Sequence, residues 1–241
     1  MFSPIHQRQD VVNKQYVRSL FNAIAYRYDL LNHLLSGGVD FSWRRRAIKH
    51  LRHMQPRAIL DVATGTADFA LAARRLHPDE IVGVDIAEEM LQRGKEKIER
   101  RGLTHLITLC LAEAEQLPFD NERFDAAIVA FGARNFEDLH RGLSEMHRVL
   151  RRGGMIVVLE FSRPRVFPFK QIYFLYFRFV LPYLGRMISK HREAYTYLPD
   201  TVLTFPEGRE FLDILDRIGF RDLHEERLTL GIATIYTGVK S

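Results

Sequence analysis

Ile59-Leu60-Asp61-Val62-Ala63-Thr64-Gly65-Thr66-Ala67-Asp68 is the stretch that decides the fold. The apolar run from Ala58 to Val62 reads as a buried parallel strand. It enters Thr64-Gly65-Thr66, where a glycine lets the backbone turn tightly and approach a ligand. Phe69, Ala72, Ala73 and Leu76 then keep helical spacing, with Thr66 or Asp68 as the expected N-cap. Strand, glycine turn and helix form a βα unit whose ligand lies outside the carboxyl end of the strand. Twenty-four positions after Asp61, the run Ile81-Val82-Gly83-Val84 ends in Asp85, an acid placed to accept both hydroxyls of a ribose.

The turn also narrows the nucleotide. A dinucleotide fold shows G-x-G-x-x-G, so that a pyrophosphate can rest on the helix N-terminus. Here Gly65 stands between threonines, and Asp68 puts negative charge where that pyrophosphate would sit. A phosphate-free ligand with a ribose and a cationic centre suits an acid-rich turn, and S-adenosylmethionine is such a ligand. Taken alone, one glycine and one acid equally fit an ordinary strand–helix turn.

The 241 residues suffice for one α/β domain with a full core, and 46% hydrophobic and 27% charged content is ordinary for a globular chain. One cysteine, Cys110, excludes an intramolecular disulfide and any cysteine-cluster metal site, and it reads as a small core residue. The first ten residues lack the apolar stretch of a signal peptide, so a cytoplasmic location is expected. Net charge is +5 and the pI near 9.4, but the basic residues are dispersed and no dense stripe points to nucleic acid.

Val12, Tyr16, Leu20 and Ile24 keep helical spacing, and a second helix is expected from about Phe41 through Trp43 to His53. Residues 1–56 read as a helical cover over the ligand site. Residues 57–163 read as the cofactor-binding core, 164–205 as an insertion covering the substrate, and 206–241 as a closing helix and strand pair. Further core strands are expected at Ile107–Leu111, Phe124–Ala130 and Met155–Phe161. The acid Glu113, just past the third strand, can accept from an adenine amino group, although a solvated loop fits the same residues. The fourth strand delivers Arg134 and Asn135 to the reactive edge. Between Pro168 and Leu184 lie Phe169, Tyr173, Phe174, Tyr176, Phe177, Phe179 and Tyr183, with Lys170 and Arg178 among them. That run is too short and charged to span a bilayer; it suits an interface or an apolar substrate, and packing on the sheet fits it too. The whole predicts one doubly wound α/β domain of seven strands, with helices between the first five and a final antiparallel pair.

Tyr28-Asp29-Leu30-Leu31-Asn32, Trp43-Arg44, Leu60 to Asp68, Ala114 to Phe119 and Ala130 to Asn135 carry a resemblance. Leu159-Glu160-Phe161-Ser162-Arg163-Pro164, Tyr195-Thr196-Tyr197-Leu198-Pro199 and Leu228 to Ala233 extend it over nearly the whole chain. In these segments the chain resembles the ubiquinone/menaquinone biosynthesis C-methyltransferases, the demethylmenaquinone methyltransferases. The resemblance implies a Rossmann-like methyltransferase fold and methyl transfer from S-adenosylmethionine to a ring carbon of a prenylated quinol. It implies cofactor contacts at Thr66, Asp85, Glu113 and Ala114, and the expected cofactor set adds Asp61, Thr64, Gly65, Ile86 and Ala130. Three positions depart from the family pattern. Ala67 stands where a second glycine is common, Glu113 replaces a shorter acid or amide, and Ala130 replaces a serine found in some members.

A sulfonium methyl requires an electron-rich carbon held in line with the breaking bond. A reduced quinol is nucleophilic, more so when a hydroxyl ionises, and a fixed cation beside it favours the phenolate. Arg134 is the expected cation, and Asn135 the group orienting the ring or a hydroxyl. Tyr28, Asp29, His191 and Tyr195 are candidates for the base that removes the ring proton. No metal is expected, since no His/Asp/Glu cluster shows in the sequence. The expected partners are the quinol and a membrane surface met peripherally, with a homodimer compatible and no nucleic acid. Two rivals are an RNA or other small-molecule methyltransferase, and a non-catalytic S-adenosylmethionine-binding scaffold of a quinone-synthesis assembly.

Overall fold

A computed structural model describes residues 13–165, 167–168, 170–171, 175 and 201–241. Its centre is a seven-stranded sheet. The strands are β1 (Ala58–Val62), β2 (Glu80–Asp85), β3 (Ile107–Leu111), β4 (Phe124–Ala130), β5 (Leu150–Phe161), β6 (Phe220–Leu228) and β7 (Ala233–Lys240). Their spatial order is β3-β2-β1-β4-β5-β7-β6. The first five run parallel, and β7 inserts antiparallel between β5 and β6. The strand order reverses between β1 and β4, which is where a doubly wound sheet opens a crevice for ligands.

The helices are α1 (Lys14–Leu35), α2 (Val39–Lys49), α3 (Asp68–Ala73), α4 (Glu88–Arg100), α5 (Leu139–Val149) and α6 (Arg209–Ile218). Two apolar layers sandwich the sheet. One holds Trp43, Ile48, Leu51, Phe69, Leu91 and Ile98 against Ile59, Ile81 and Ile128. The other packs Leu143, Met146, Phe211 and Leu215 against Leu60, Val129 and Val158. Strands buried on both faces need near-continuous apolar runs, which explains why Ile59-Leu60 and Ala126-Ala127-Ile128-Val129 do not alternate with polar residues.

Four expectations are corrected. The helix of the cover is longer than its apolar period suggested, running on through 26–32. Its inward face is Val17, Leu20, Phe21, Ala25 and Tyr28, while Tyr16 is exposed. Asn13 supplies its cap, accepting from the Tyr16 amide at 3.0 Å. Second, neither Thr66 nor Asp68 caps α3. Ala67 occupies the N-cap in a left-handed conformation, and Asp61 from the preceding strand accepts from the Ala70 amide at 2.9 Å. Third, α3 is short and passes into a 3-10 turn at Arg74–Leu76. Fourth, β3 and β4 are joined without a helix. The Ala112–Arg123 stretch, broken by Pro118, is pinned instead by α5: Arg148 donates to the carbonyls of Leu117 and Phe119, and Glu145 accepts from the Leu117 amide.

Candidate functional site

Above the carboxyl ends of β1, β2 and β4 lies a cavity roofed by α1. Its floor is Ala63, Gly65, Asp85 and Ile86; its sides are Met90, Ala112, Ala114, Glu115, Ala130, Phe131, Gly132, Asn135, Phe136 and Glu137; its roof is Lys14, Val17, Phe21 and Tyr28. The floor is built from unusual backbone. Ala63 (φ 53°), Gly65 (φ 56°), Ala67 (φ 68°) and Phe131 (φ 57°) all sit in the left-handed region. For three non-glycine residues this is strained, of order 1–2 kcal/mol each, and such strain gathers where a site over-determines the chain. The two strand ends also meet closely. A Cβ on Gly132 would lie 2.5 Å from the Ala63 Cβ, so only glycine lets β4 turn against β1 there.

Asp85 organises the floor. Its Oδ2 accepts from the Gly65 amide at 2.8 Å and its Oδ1 from the Ala87 amide at 2.9 Å. The carboxylate itself lines the cavity, where its oxygens can accept further hydrogen bonds. Burial pushes the carboxyl's pKa up, against the backbone amides that favour its charged form. Asp61 lies below the floor and out of the cavity, with its Oδ2 accepting from Thr64 Oγ1 at 2.6 Å as well as from Ala70. Thr64 and Thr66 are both buried; Thr64 ties the turn to Asp61, and Thr66 ties it to Asp29 of α1.

Asp61 is wholly buried, and its pKa is pushed up to about 7 by loss of solvent. A carboxyl raised from 3.8 in this way holds its proton longer folded than unfolded, so its contribution to stability fades as pH rises from about 4 through about 7. Asp61→Asn should flatten that part of the stability–pH curve, as denaturant titrations at pH 5 and pH 8 will read. An unchanged slope would show Asp61 ionised in the fold throughout.

The other side chains expected at the site distribute unevenly. Tyr28, Ile86, Ala114, Ala130 and Asn135 line the cavity with Gly65 and Asp85. Glu113 does not; it is half exposed and lines an adjoining cavity that shares Lys14, Ile86, Ala112 and Glu137 with the first. There it accepts from Lys14 Nζ at 2.7 Å, which raises the lysine's pKa. Glu115 is the acid that reaches the first cavity, anchored by the Glu137 amide at 2.8 Å. Arg134 is also absent from the cavity lining. Its guanidinium is 6% exposed and donates from Nη1 to both oxygens of Glu160, at 3.1 and 3.0 Å, and to the Phe131 carbonyl. Glu160 also accepts from the Arg134 amide at 3.3 Å, so the pair holds the turn that presents Asn135. Asp29 lies beside Tyr28 on α1 and bonds to Thr66 and Lys97. His191 and Tyr195 lie outside the described residues, as do Phe169, Tyr173, Phe174, Tyr176, Phe177, Phe179 and Tyr183.

Sequence reasoning missed Lys14, Phe21, Met90, Glu115, Phe136 and Glu137. Met90 is the only one with a signal, as an apolar residue on the inner face of a charged helix. The others depend on how α1 and the loop after β3 lie over the sheet.

This cavity suits S-adenosylmethionine. Asp85 accepts hydroxyls, Ile86, Met90, Ala112 and Ala114 form apolar walls for a flat ring, and the acids Asp85, Glu115 and Glu137 favour cationic groups. The model of the ubiE/COQ5 methyltransferase family matches residues 9–240. The chain belongs to that family. It is 47% identical over 232 residues to a demethylmenaquinone methyltransferase of Bacteroides fragilis, covering 96% of this chain and 95% of that one. A Porphyromonas gingivalis protein of the same name is 43% identical, with 93% and 92% covered. A ubiquinone/menaquinone biosynthesis C-methyltransferase UbiE of Geobacter sulfurreducens is 49% identical, with 93% and 88% covered. Among solved structures, the [4+2]-cyclase SpnF superimposes with a TM-score of 0.68 at 16% identity over 94% of this chain and 96% of that one. A Thermotoga maritima S-adenosylmethionine-dependent methyltransferase does so with 0.65 at 18%, over 93% and 99%. At such identities these two speak for the fold. The family membership makes the chain an S-adenosylmethionine-dependent C-methyltransferase.

Proposed function

We propose that the protein methylates a ring carbon of demethylmenaquinol, yielding menaquinol. The observation that carries this reading is the identity of 43–47% with two demethylmenaquinone methyltransferases, each along more than nine-tenths of the chain. Bound S-adenosylmethionine supplies an electrophilic methyl group on a sulfonium centre. The chain's own residues do the rest. Asp85 and the Gly65 turn hold the donor, and Glu115 and Glu137 keep the cavity negative around its cationic groups. Asn135, fixed by the Arg134–Glu160 pair, presents an amide to the substrate side. Tyr28, in the roof, brings a phenol side chain to the cavity as a proton-handling group.

Incubation with methyl-labelled S-adenosylmethionine and dithionite-reduced demethylmenaquinone should label the quinol product. Parallel incubations with a reduced ubiquinone precursor and with bulk tRNA separate the rival substrates. Label in tRNA with none in either quinol would overturn the proposal.

We also propose that the enzyme meets its substrate at the membrane surface. The prenyl tail is too apolar to leave a bilayer freely, and among the described residues no helix is long and apolar enough to cross one. The support is compositional: rings with interspersed lysine and arginine suit the acyl boundary and anionic head groups. Replacing Tyr173, Phe174 and Phe177 by serine should reduce binding to phosphatidylglycerol vesicles by about tenfold, reading each interfacial aromatic at roughly 0.5 kcal/mol. It should lower activity on long-tailed quinols more than on a short-tailed analogue. Equal losses with unchanged sedimentation would restrict these rings to packing.

A further inference from the structure

No metal-type cluster shows in the sequence, yet the fold assembles one. Ligand atoms of Asp29 and His33 on α1 and of Asp68 on α3 lie within 4.8 Å of one another. The cation among them is the chain's own. Lys97 Nζ, from α4, donates to Asp29 Oδ2 at 2.8 Å, to Asp68 Oδ1 at 2.6 Å and to Thr66 Oγ1 at 3.0 Å. An ammonium has three N–H donors, so Lys97 is saturated. Thr66 in turn donates to Asp29 Oδ1 at 2.5 Å, and His33 bridges the cluster to α2, its Nδ1 2.9 Å from Asp40 and its Nε2 3.5 Å from Asp68. Lys97 is only 11% exposed, so these bonds are shielded well beyond those of a surface pair.

The position of the cluster gives it a consequence for the cavity. Asp29 follows Tyr28, and Thr66 follows Gly65, so the Thr66–Asp29 bond brings roof and floor together. A Cβ placed on Gly65 would lie 4.0 Å from Tyr28 Cε1. Apolar packing under this part of α1 is slight: Ala25, Phe21 and Tyr28 meet Ala87 and Met90 in a small cluster apart from the two main layers. At the other end of the roof Lys14 reaches Glu113, Glu115 and Glu137 at 2.7–3.8 Å. The roof is therefore fastened at both ends by lysines and acids. Charge contacts can open without exposing a large apolar face, which is what a cover over an exchangeable ligand requires.

We propose that Lys97 is a positioning residue: with Asp29, Thr66 and Asp68 it latches α1 over the cavity, sets Tyr28 against the Gly65 turn and retains bound S-adenosylmethionine. The proposal rests on the reading of this cavity as the cofactor site. Lys97 touches none of the reacting atoms; it acts through α1.

The test uses the full chain and needs no quinol. Lys97→Met should raise the S-adenosylmethionine Kd about tenfold, chiefly through faster dissociation, one charge-assisted network being lost. Hydrogen exchange of the amides of residues 14–35, slowed by S-adenosylmethionine in the unaltered protein, should lose that slowing in the variant. Asp29→Asn should have a similar effect, and the double variant should be no worse than either alone. Lys95→Met, on the same helix and outside the cluster, should change neither measurement. Dissociation within twofold of the unaltered protein and retained protection, whatever the change in Tm, would overturn the latch and leave Lys97 a structural lysine. Additive losses in the double variant would overturn it too. Failure of the unaltered protein to bind S-adenosylmethionine would overturn the cofactor reading, and the latch with it.

Discussion

Asp85→Ala raises the Kd for S-adenosylmethionine by about 100-fold and leaves a folded protein. The carboxylate lines the cavity, and the two hydrogen bonds it would accept from a ribose diol are at stake. Each bond to a charged acceptor contributes about 1.5 kcal/mol, and their sum of about 3 kcal/mol corresponds to roughly two decades in Kd. The same substitution frees the Gly65 and Ala87 amides, which loosens the turn and lowers Tm by a few degrees. Asp85→Asn keeps one acceptor and should recover part of the affinity. Calorimetric titration reads both variants. A Kd for Asp85→Ala within threefold of the parent would mean that the ribose lies elsewhere.

The sheet could be read from the sequence because its strands carry their own signal. Ala58–Val62 and Phe124–Ala130 are largely apolar runs of strand length, and a parallel strand covered on both faces needs that composition. Topology then puts Gly65, Asp85 and Asn135 on one edge, and these meet in the cavity. The cover was less legible. Tyr16 and Ile24 share a helical period with Leu20, but of the three only Leu20 is buried, and the rest of the inward face is one residue on, at Val17, Phe21, Ala25 and Tyr28. A long helix with apolar residues on two adjoining stripes does not say which one faces the sheet; docking decides it.

The same reason hid the ionic part of the site. Lys14, Lys97 and Glu115 are ordinary charged residues in sequence, and only the approach of α1 to α4 and to the loop after β3 makes them partners. Glu113 and Glu115 show the limit of spacing. They are two apart on one loop, and one turns to the adjoining cavity while the other is buried against the Glu137 amide. No periodicity governs an irregular loop, so its side-chain directions come from its anchors, here Arg148 and Glu145 of α5.

Arg134→Ala is expected to destabilise the fold by about 3–5 kcal/mol, because it strands the carboxylate of Glu160 in a site 1% exposed. At about 2–4 °C per kcal/mol for a chain of this size, Tm falls by roughly 10 °C. Loss of activity in that variant therefore does not establish that Arg134 stabilises a phenolate, the role its place after β4 suggests. The two roles separate in a second variant. Arg134→Met with Glu160→Leu removes both charges at similar volume, and such apolar replacement of a buried pair is commonly neutral or stabilising. Its Tm should return to within a few degrees of the parent. Arg134 also holds its own turn through the Phe131 carbonyl, and Asn135 sits in the cavity at the end of that turn. The double variant should accordingly bind S-adenosylmethionine within a few-fold of the parent while turning over quinol at least tenfold more slowly, an estimate that takes the lost positioning at about 1.4 kcal/mol. Recovery of both Tm and turnover would show that the ion pair serves stability alone and that the cation assisting the quinol is another group.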